Sequence, residues 1–175
     1  MKKALLFLLL GTTIFVGCNN DDDDTPAVKT KAELIAQTWE VNTGIVTLGT
    51  LPPITGYTKN GGTTNALDMS KFRLQFKSNG DVVQTGLDGT SSTGKWSLSE
   101  NDTKLTMTSP QLPAGDTWKI DNLTETNLDI SRDIAGNSTA PGDLYWKNLI
   151  DAYGKPLGLS SANGVKIAVK TTPVK

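Results

Sequence analysis

The sequence of 175 residues contains no histidine and only one cysteine. Without histidine, the chain has no His–Ser or His–Cys nucleophilic pair and no imidazole ligand for zinc. One cysteine cannot form a disulfide within the chain or a thiolate cluster. The chain has 17 Lys and Arg residues against 18 Asp and Glu residues, and this lack of basic excess argues against nucleic-acid binding. These absences favour a binding or interaction protein over an enzyme, and we expect neither a cofactor nor a metal.

The single cysteine ends an apolar segment at the N-terminus. Two lysines precede residues 4–16 (ALLFLLLGTTIFV), and Gly17 and Cys18 follow. The segment is too short to span a bilayer comfortably and has the length of a signal-peptide core. The ending resembles a bacterial lipobox, which implies that Cys18 is lipidated, with palmitate among its acyl chains, and anchors the protein in a membrane. We expect residues 1–17 to be a lipoprotein signal peptide; the alternative is an ordinary signal peptide with an incidental cysteine.

An acidic segment follows the cysteine directly. It consists of Asn19, Asn20, Asp21, Asp22, Asp23 and Asp24. Four consecutive carboxylates repel one another and cannot pack, so we expect residues 18–29 to form a solvated tether. The segment resembles the lipoprotein export signal of Bacteroidota, which implies a lipid-anchored protein on the outer face of the outer membrane. The alternative is a spacer that faces the periplasm.

Residues 30–175 show the pattern of one small domain. Thr30 and Glu33 have the spacing of a capping box, which predicts a short helix. Residues 49–66 are rich in Gly, Thr and Pro, and we expect a long loop there. Further along, Asp143 is expected to cap an amphipathic helix that places Trp146, Leu149, Ile150 and Tyr153 on one packed face.

Most of the remaining sequence alternates between apolar and polar residues with a period of two. This pattern predicts eight strands, the first over residues 39–48 and the last over residues 164–170. Each well-patterned strand has one apolar and one polar face, as in antiparallel sheets. Eight strands are enough to close a barrel, which removes the sheet edges. We predict an all-β fold: an eight-stranded antiparallel up-and-down barrel with a short N-terminal helix and one helix before the last strand.

Five short motifs are spread over residues 30–132. They are Leu34-Ile35-x-x-Thr38-Trp39, Phe72-x-Leu74-x-Phe76-Lys77-Ser78-Asn79-Gly80, Gly94-Lys95-Trp96-Ser97-Leu98, Lys104-Leu105-Thr106-Met107 and Ile120-x-x-Leu123-Thr124-x-x-x-Leu128-x-Ile130. Together they resemble the lipocalin-like domain of Bacteroidota lipoproteins, which implies a small up-and-down barrel. The chain departs from that family at Gln37, where many members carry glycine, and in its longer segments 49–66 and 133–163, which would shape the mouth of the barrel.

Large side chains at inward positions of the predicted strands are the candidate ligand-binding residues. They are Trp39, Phe72, Phe76, Trp96, Met107 and Trp118. Aromatic walls with few polar groups suit a small hydrophobic or amphipathic molecule, and aromatic rings also stack on sugars. The alternative is that these side chains fill the barrel. The protein would then be an interaction module, an accessory subunit of an outer-membrane or surface complex.

Catalysis has little support in the pattern of carboxylates. Asp121, Asp129 and Asp133 fall on an outward face or in a loop, and no two carboxylates share an inner face, as glycoside hydrolysis requires. We therefore expect a protein that is not an enzyme. Its expected partners are the membrane through Cys18, a small apolar ligand and an outer-membrane protein, but not nucleic acid.

Overall fold

The fold is given by a computed structural model, which describes residues 28–110 and 115–175. The predicted signal peptide (1–17), the lipidation site Cys18 and the acidic segment 19–24 lie outside the described residues.

Within the described ranges, nine strands and two α-helices follow one another along the chain. The order is α1 (Lys31–Ile35), β1 (Thr38–Leu48), β2 (Ile54–Thr58), β3 (Arg73–Phe76), β4 (Asp81–Thr85), β5 (Ser91–Ser99), β6 (Lys104–Thr108), β7 (Asp116–Leu123), β8 (Leu128–Ile134), α2 (Pro141–Gly154) and β9 (Val165–Pro173). Short 3-10 turns occur at Gly62–Thr64, Lys155–Leu157 and Ser161–Asn163. No helix of the described residues combines the length and the hydropathy that a membrane-crossing helix needs.

Eight of the strands form a closed barrel. Strands β3 to β9 pair in sequence order, and β1 pairs with both β3 and β9, so the sheet closes on itself. Every pairing is antiparallel. The prediction of an eight-stranded antiparallel up-and-down barrel, with a short helix before it and a helix before the last strand, is confirmed.

The ninth strand, β2, lies inside the segment that was expected to be a long loop. It pairs with the second half of β1, with Gly44 opposite Tyr57 and Val46 opposite Ile54. Strand β3 pairs only with the first half of β1, from Thr38 to Glu40. Strand β1 is longer than β3, and β2 therefore satisfies backbone groups of β1 that β3 does not reach.

The two helices lie at opposite ends of the barrel. Because the strands alternate in direction, one end of the barrel holds α1 and the turns at 77–80, 100–103 and 124–127. We call it the α1 end. The other end holds the β1–β3 connection, the turn 86–90, the end of β6, the start of β7 and the segment 135–164 with α2. We call it the α2 end. All of the longer connections therefore lie at the α2 end.

Helix α1 forms the predicted capping box. The amide of Glu33 donates to Oγ1 of Thr30 over 3.3 Å, and the Glu33 carboxylate accepts from the Thr30 amide over 2.7 Å. Ile35 is fully buried beneath the helix, and its carbonyl accepts a hydrogen bond from Nε1 of Trp39 over 2.9 Å. The helix thus closes the α1 end with an apolar side chain.

Helix α2 begins three residues earlier than predicted. Ala140 is the N-cap, Pro141 is the first helical residue, and Asp143 lies within the first turn. The expectation that Asp143 caps the helix was therefore wrong. Proline fixes a helical φ and needs no amide partner at the first helical position, so the helix begins here without a capping side chain. Asp143 is free to bond elsewhere.

Candidate functional site

The barrel interior is solid at one end and hollow at the other. At the α1 end, buried side chains fill the space: Ile35, Trp39, Phe76, Leu105 and Leu128. At the α2 end, the structure contains a cavity of about 190 Å³. Its wall is formed by the upper parts of the strands, by β2 with the segment that follows it, and by α2.

The cavity wall is almost entirely apolar. Among the residues that line it are Gly44, Ile45, Val46, Leu48, Ile54, Tyr57, Leu67, Met69, Phe72, Leu74, Met107, Trp118, Ile130, Tyr145, Trp146, Leu149, Ile150, Tyr153, Leu159, Ile167 and Val169. The described lining also includes Gln84, Thr108, Ser109 and Asp116 as polar side chains. An apolar cavity with a few convergent polar groups is the usual form of a small-molecule site.

Helix α2 covers the cavity with one face. Trp146, Leu149, Ile150 and Tyr153 recur at helical spacing, and all four line the cavity. Tyr153 is 50% exposed, and Tyr145, which also lines the cavity, is 37% exposed. These two tyrosines therefore stand at the rim, where the cavity meets solvent.

Strand β2 provides the wall on the opposite side. Tyr57 is buried and lies beside Gly44 of β1, its partner in the strand pairing. A methyl group placed on Gly44 would lie 3.6 Å from both Tyr57 Cβ and Met69 Sδ. This is ordinary van der Waals contact, so Gly44 leaves space in the wall that a larger side chain would occupy.

The one charged side chain in the described lining, Asp116, accepts hydrogen bonds from three residues. Its Oδ2 accepts from Trp118 Nε1 over 2.7 Å and from Trp146 Nε1 over 2.9 Å, and its Oδ1 accepts from Arg132 Nη1. Trp118 belongs to the barrel and Trp146 to α2. The carboxylate therefore joins the helix to the barrel wall at the edge of the cavity.

Arg132 extends this connection to the start of α2. Its Nε and Nη2 both donate to Oδ1 of Asp143, over 3.1 and 2.7 Å. Ser138 donates to the other oxygen of Asp143. The guanidinium is only 11% exposed and lies between two carboxylates. A buried arginine paired on both sides holds the helix at a fixed position relative to the barrel.

The two carboxyl groups have opposite shifts in pKa. Burial raises the pKa of Asp116 above its usual value, although Arg132 and the two indole N–H groups favour the charged form. Partial burial also acts to raise the pKa of Asp143, but the hydrogen bonds from Ser138 and Arg132 outweigh it, and the pKa is lowered overall. Burial, and then the charge of Asp116, raise the pKa of Tyr145.

The six candidate residues divide between the two ends of the barrel. Phe72, Met107 and Trp118 line the cavity. Trp39 and Phe76 are buried in the solid core of the α1 end, at 1% and 2% exposure. Trp96 packs edge-on against Phe76, with ring centres 5.6 Å apart, and donates from Nε1 to the carbonyl of Lys77.

Several cavity residues were not among the candidates. Trp146 was expected on the packed face of its helix, which is where it lies. Asp116 was missed, although it has the same parity as Trp118 and Ile120 and therefore shares their face of β7. The period-two alternation of β7 could therefore have predicted that this carboxylate faces inward. The position of Tyr57 had no such signal, because its strand lies within the Gly- and Pro-rich segment.

No group of three or more Asp, Glu, His or Cys side chains within the described ranges could hold a metal ion.

Comparison with known proteins finds a likeness in structure but not in sequence. No family model matches the chain, and no curated protein matches its sequence. Among solved structures, the chain is similar to the crystal structure of a lipocalin-like protein from Bacteroides uniformis, at 10% sequence identity and a TM-score of 0.41. The match covers 81% of this chain and 99% of that chain. The closed barrel is shown by the strand pairing of this chain.

Proposed function

We propose that this protein is a bacterial lipoprotein, anchored through Cys18 to the outer membrane, whose barrel binds a small apolar molecule. The observation that supports this proposal is the apolar cavity of about 190 Å³ at the α2 end. A cavity of about 150 Å³ engineered into another protein binds benzene, whereas sites for drug-sized ligands start at about 300 Å³. The cavity therefore suits one or two small rings or a short alkyl chain.

The polar groups of the cavity support binding rather than catalysis. Asp116 accepts hydrogen bonds from Arg132, Trp118 and Trp146, so three of its about four lone-pair positions are already used. No second carboxylate lines the described part of the cavity. Acid–base catalysis needs a positioned group within reach of the reacting atoms. We therefore propose a binding protein and not an enzyme.

Ligand binding can be tested with a small brominated alcohol, because two tryptophans, Trp118 and Trp146, line the cavity. Bromine quenches tryptophan fluorescence on contact, and 6-bromohexan-1-ol has a short apolar chain and no charge. We expect saturable quenching in the unmodified protein. The series Gly44→Ala, Gly44→Val and Gly44→Leu fills the cavity stepwise, and the affinity should fall at each step and be lost with leucine.

The matched control is Ala168→Leu, which adds similar bulk to the outward face of β9. This residue follows Ile167 and precedes Val169, both of which face inward and line the cavity. Binding should be unchanged in this variant. Quenching that does not saturate, or that is the same in Gly44→Leu as in the unmodified protein, would exclude the cavity as the binding site.

The membrane anchor is tested separately. Cys18→Ser should abolish incorporation of labelled palmitate and move the protein from the membrane fraction to the soluble fraction, or leave it unprocessed. Protease treatment of intact cells then distinguishes the outer face of the outer membrane from the periplasmic face. Unchanged fractionation and labelling of Cys18→Ser would contradict the anchor and leave the cavity proposal intact.

A second candidate function, an accessory subunit of an outer-membrane complex, is favoured by exposed apolar residues at the α2 end. Leu51, Leu144, Tyr145 and Tyr153 are between 37% and 50% exposed. A photo-crosslinking residue placed at Leu144 should then yield one discrete product in cells. The same group at Val174, an exposed residue at the α1 end, provides the control. Equal, diffuse labelling at both positions would exclude this surface.

A further inference from the structure

We propose that the cavity prefers an apolar molecule with an amine over the matching alcohol, and the alcohol over the matching carboxylate. This inference rests on the proposed function and adds the chemical class of the ligand. It is carried by the position of Asp116, whose carboxylate lines the cavity, and by the absence of a cation from the described lining.

The described cavity lining has an acidic side chain but no basic one. No lysine or arginine is found among the described residues that line it, whereas Asp116 is. Residues 111–114, which are not described, are Gln, Leu, Pro and Ala and carry no charge. A ligand carboxylate would therefore find no cationic partner at the wall and would face a carboxylate of like charge. An anion in such a site is disfavoured.

The nearby cations do not reverse this arrangement. The guanidinium of Arg132 directs Nη1 to Asp116 and both Nε and Nη2 to Asp143, so its charge is shared between two carboxylates. Lys147 donates to the carbonyl of Gly136. Neither side chain lines the cavity. The charged group of the described lining is therefore the carboxylate of Asp116.

Asp116 retains the capacity to accept one more hydrogen bond. An ionised carboxylate has about four lone-pair positions. Oδ2 uses two of them for Trp118 and Trp146, and Oδ1 uses one for Arg132. All three partners are N–H donors, which is the arrangement expected for the ionised form. In the proposed complex, a ligand ammonium or hydroxyl donates to this carboxylate.

Aromatic rings surround the same carboxylate. Trp118 and Trp146 pack edge-to-face with centres 5.3 Å apart, and Tyr145 packs in the same way on Trp146 at 5.4 Å. Aromatic rings attract organic cations through their faces. Tyr145 is also at the rim, and its pKa is raised by burial and by the charge of Asp116. Tyr145 thus lies near Asp116 on the rim of the cavity.

The test compares three ligands of one chain length: heptylamine, heptan-1-ol and heptanoate. Each competes with 6-bromohexan-1-ol for the quenching site at pH 7 and low salt. We expect the amine to bind most tightly and the carboxylate to bind at least about tenfold more weakly than the amine. Equal binding of the amine and the carboxylate would overturn the inference. Failure of all three, with no quenching by the bromoalcohol, would instead overturn the proposed function.

Two isosteric variants locate the charge that is responsible. Asp116→Asn removes the carboxylate at the wall and should abolish or invert the preference, because Arg132 then lacks one of its partners. Asp143→Asn changes the net charge by the same amount, but its side chain does not line the cavity, and the preference should persist. An equal loss of preference in both variants would overturn the assignment to Asp116. If Asp116→Asn does not fold, the comparison of the three ligands on the unmodified protein still decides the inference.

Discussion

The two ends of this barrel are built from the same eight strands, yet one end is packed and the other is hollow. At the α1 end, Ile35 closes the barrel over Trp39 and Phe76, each at most 2% exposed. At the α2 end, the residues that line the cavity include several small ones beside the aromatic ones. Gly44, Gly56, Ala66, Gly94 and Gly154 all line the cavity. The comparison shows that the strand pattern alone does not decide whether a barrel is filled.

The difference has a cause in the pairing of β1. Its first half pairs with β3 directly, which brings Trp39 opposite Leu74 in a closed wall. Its second half pairs with β2 instead, so the wall is extended by a segment that is not part of the eight-stranded cycle. Helix α2 then covers the opening. Residues of both β2 and α2 are therefore among those that line the cavity.

The largest expected effect on stability is a difference between two phenylalanines, Phe76 at the end of β3 and Phe72 directly before it. Phe76→Ala removes a fully buried ring from the packed end and should cost about 3 to 5 kcal/mol in the free energy of unfolding. Phe72→Ala removes a half-buried ring that already borders a cavity, and should cost about 1 to 2 kcal/mol. Urea denaturation measures both. Equal costs would show that the two ends are packed alike.

The connection between α2 and the barrel should give the next largest effect. Arg132→Gln leaves Asp116 buried with its charge and with only the two indole donors, at a cost of about 3 kcal/mol. Lys119→Gln is the control, because Lys119 pairs with Asp121 while 66% exposed, and exposed pairs contribute about 1 kcal/mol or less. A small change in Arg132→Gln, measured by thermal unfolding, would mean that α2 is held by apolar contacts alone.

The lowered pKa of Asp143 predicts a dependence on pH. A carboxyl group whose pKa is lower in the folded state stabilises the fold above its unfolded value, which is 3.8, and this stabilisation is lost as pH falls through the folded value. Asp143→Asn should therefore be less stable than the unmodified protein by about 1 to 2 kcal/mol at pH 7.

The measurement is urea denaturation of both proteins from pH 7 to pH 2. The stability difference should be constant down to about pH 5 and should shrink as pH falls through 3.8, where the group is half protonated in the unfolded chain. A difference that stays constant to pH 2 would mean that Asp143 contributes through its shape and not through its charge.

The smallest expected effect on stability is that of Gly44→Ala, which is compared with Gly136→Ala. Gly44→Ala places a methyl group at ordinary contact distance, so unfolding should change by about 0.5 kcal/mol or less, or the protein should gain slightly in stability. Gly136→Ala would place Cβ 2.1 Å from the carbonyl oxygen of Ala162, and the backbone must move. Thermal unfolding compares the two. A cost for Gly44→Ala as large as that for Gly136→Ala would mean that the cavity wall has no free space.

Much of the fold could be predicted from the alternation of apolar and polar residues. The rest could not, because this pattern carries only part of the information about where a side chain lies. The period of two identifies which face of a strand a residue occupies, and the eight barrel strands were predicted on this basis. It does not identify the height of a residue along the barrel axis. For this reason Trp39 and Phe76 at the packed end were grouped with Phe72 and Trp118 at the cavity. Ligand binding by these residues remains a prediction.

Two local features, strand β2 and the start of α2, were not predicted correctly from the sequence, for different reasons. Strand β2 has only five residues between Pro52-Pro53 and Gly61-Gly62, and turn residues on both sides obscured its alternation. The start of α2 was placed at Asp143 because aspartate is a common N-cap. Asp143 is instead bonded by Arg132, eleven residues earlier in the sequence. Such pairing depends on tertiary structure and leaves no local pattern.

The position of the first described residues has a consequence for how a ligand would reach the protein. Lys29 pairs with Glu125 of the β7–β8 turn, over 2.7 Å, so the chain enters the barrel at the α1 end. A tether that begins at Cys18 would therefore join the barrel at the end opposite the cavity. Under the proposed anchor, the cavity would thus lie at the end of the barrel that is not attached to the lipid, where a ligand can enter from the surrounding water.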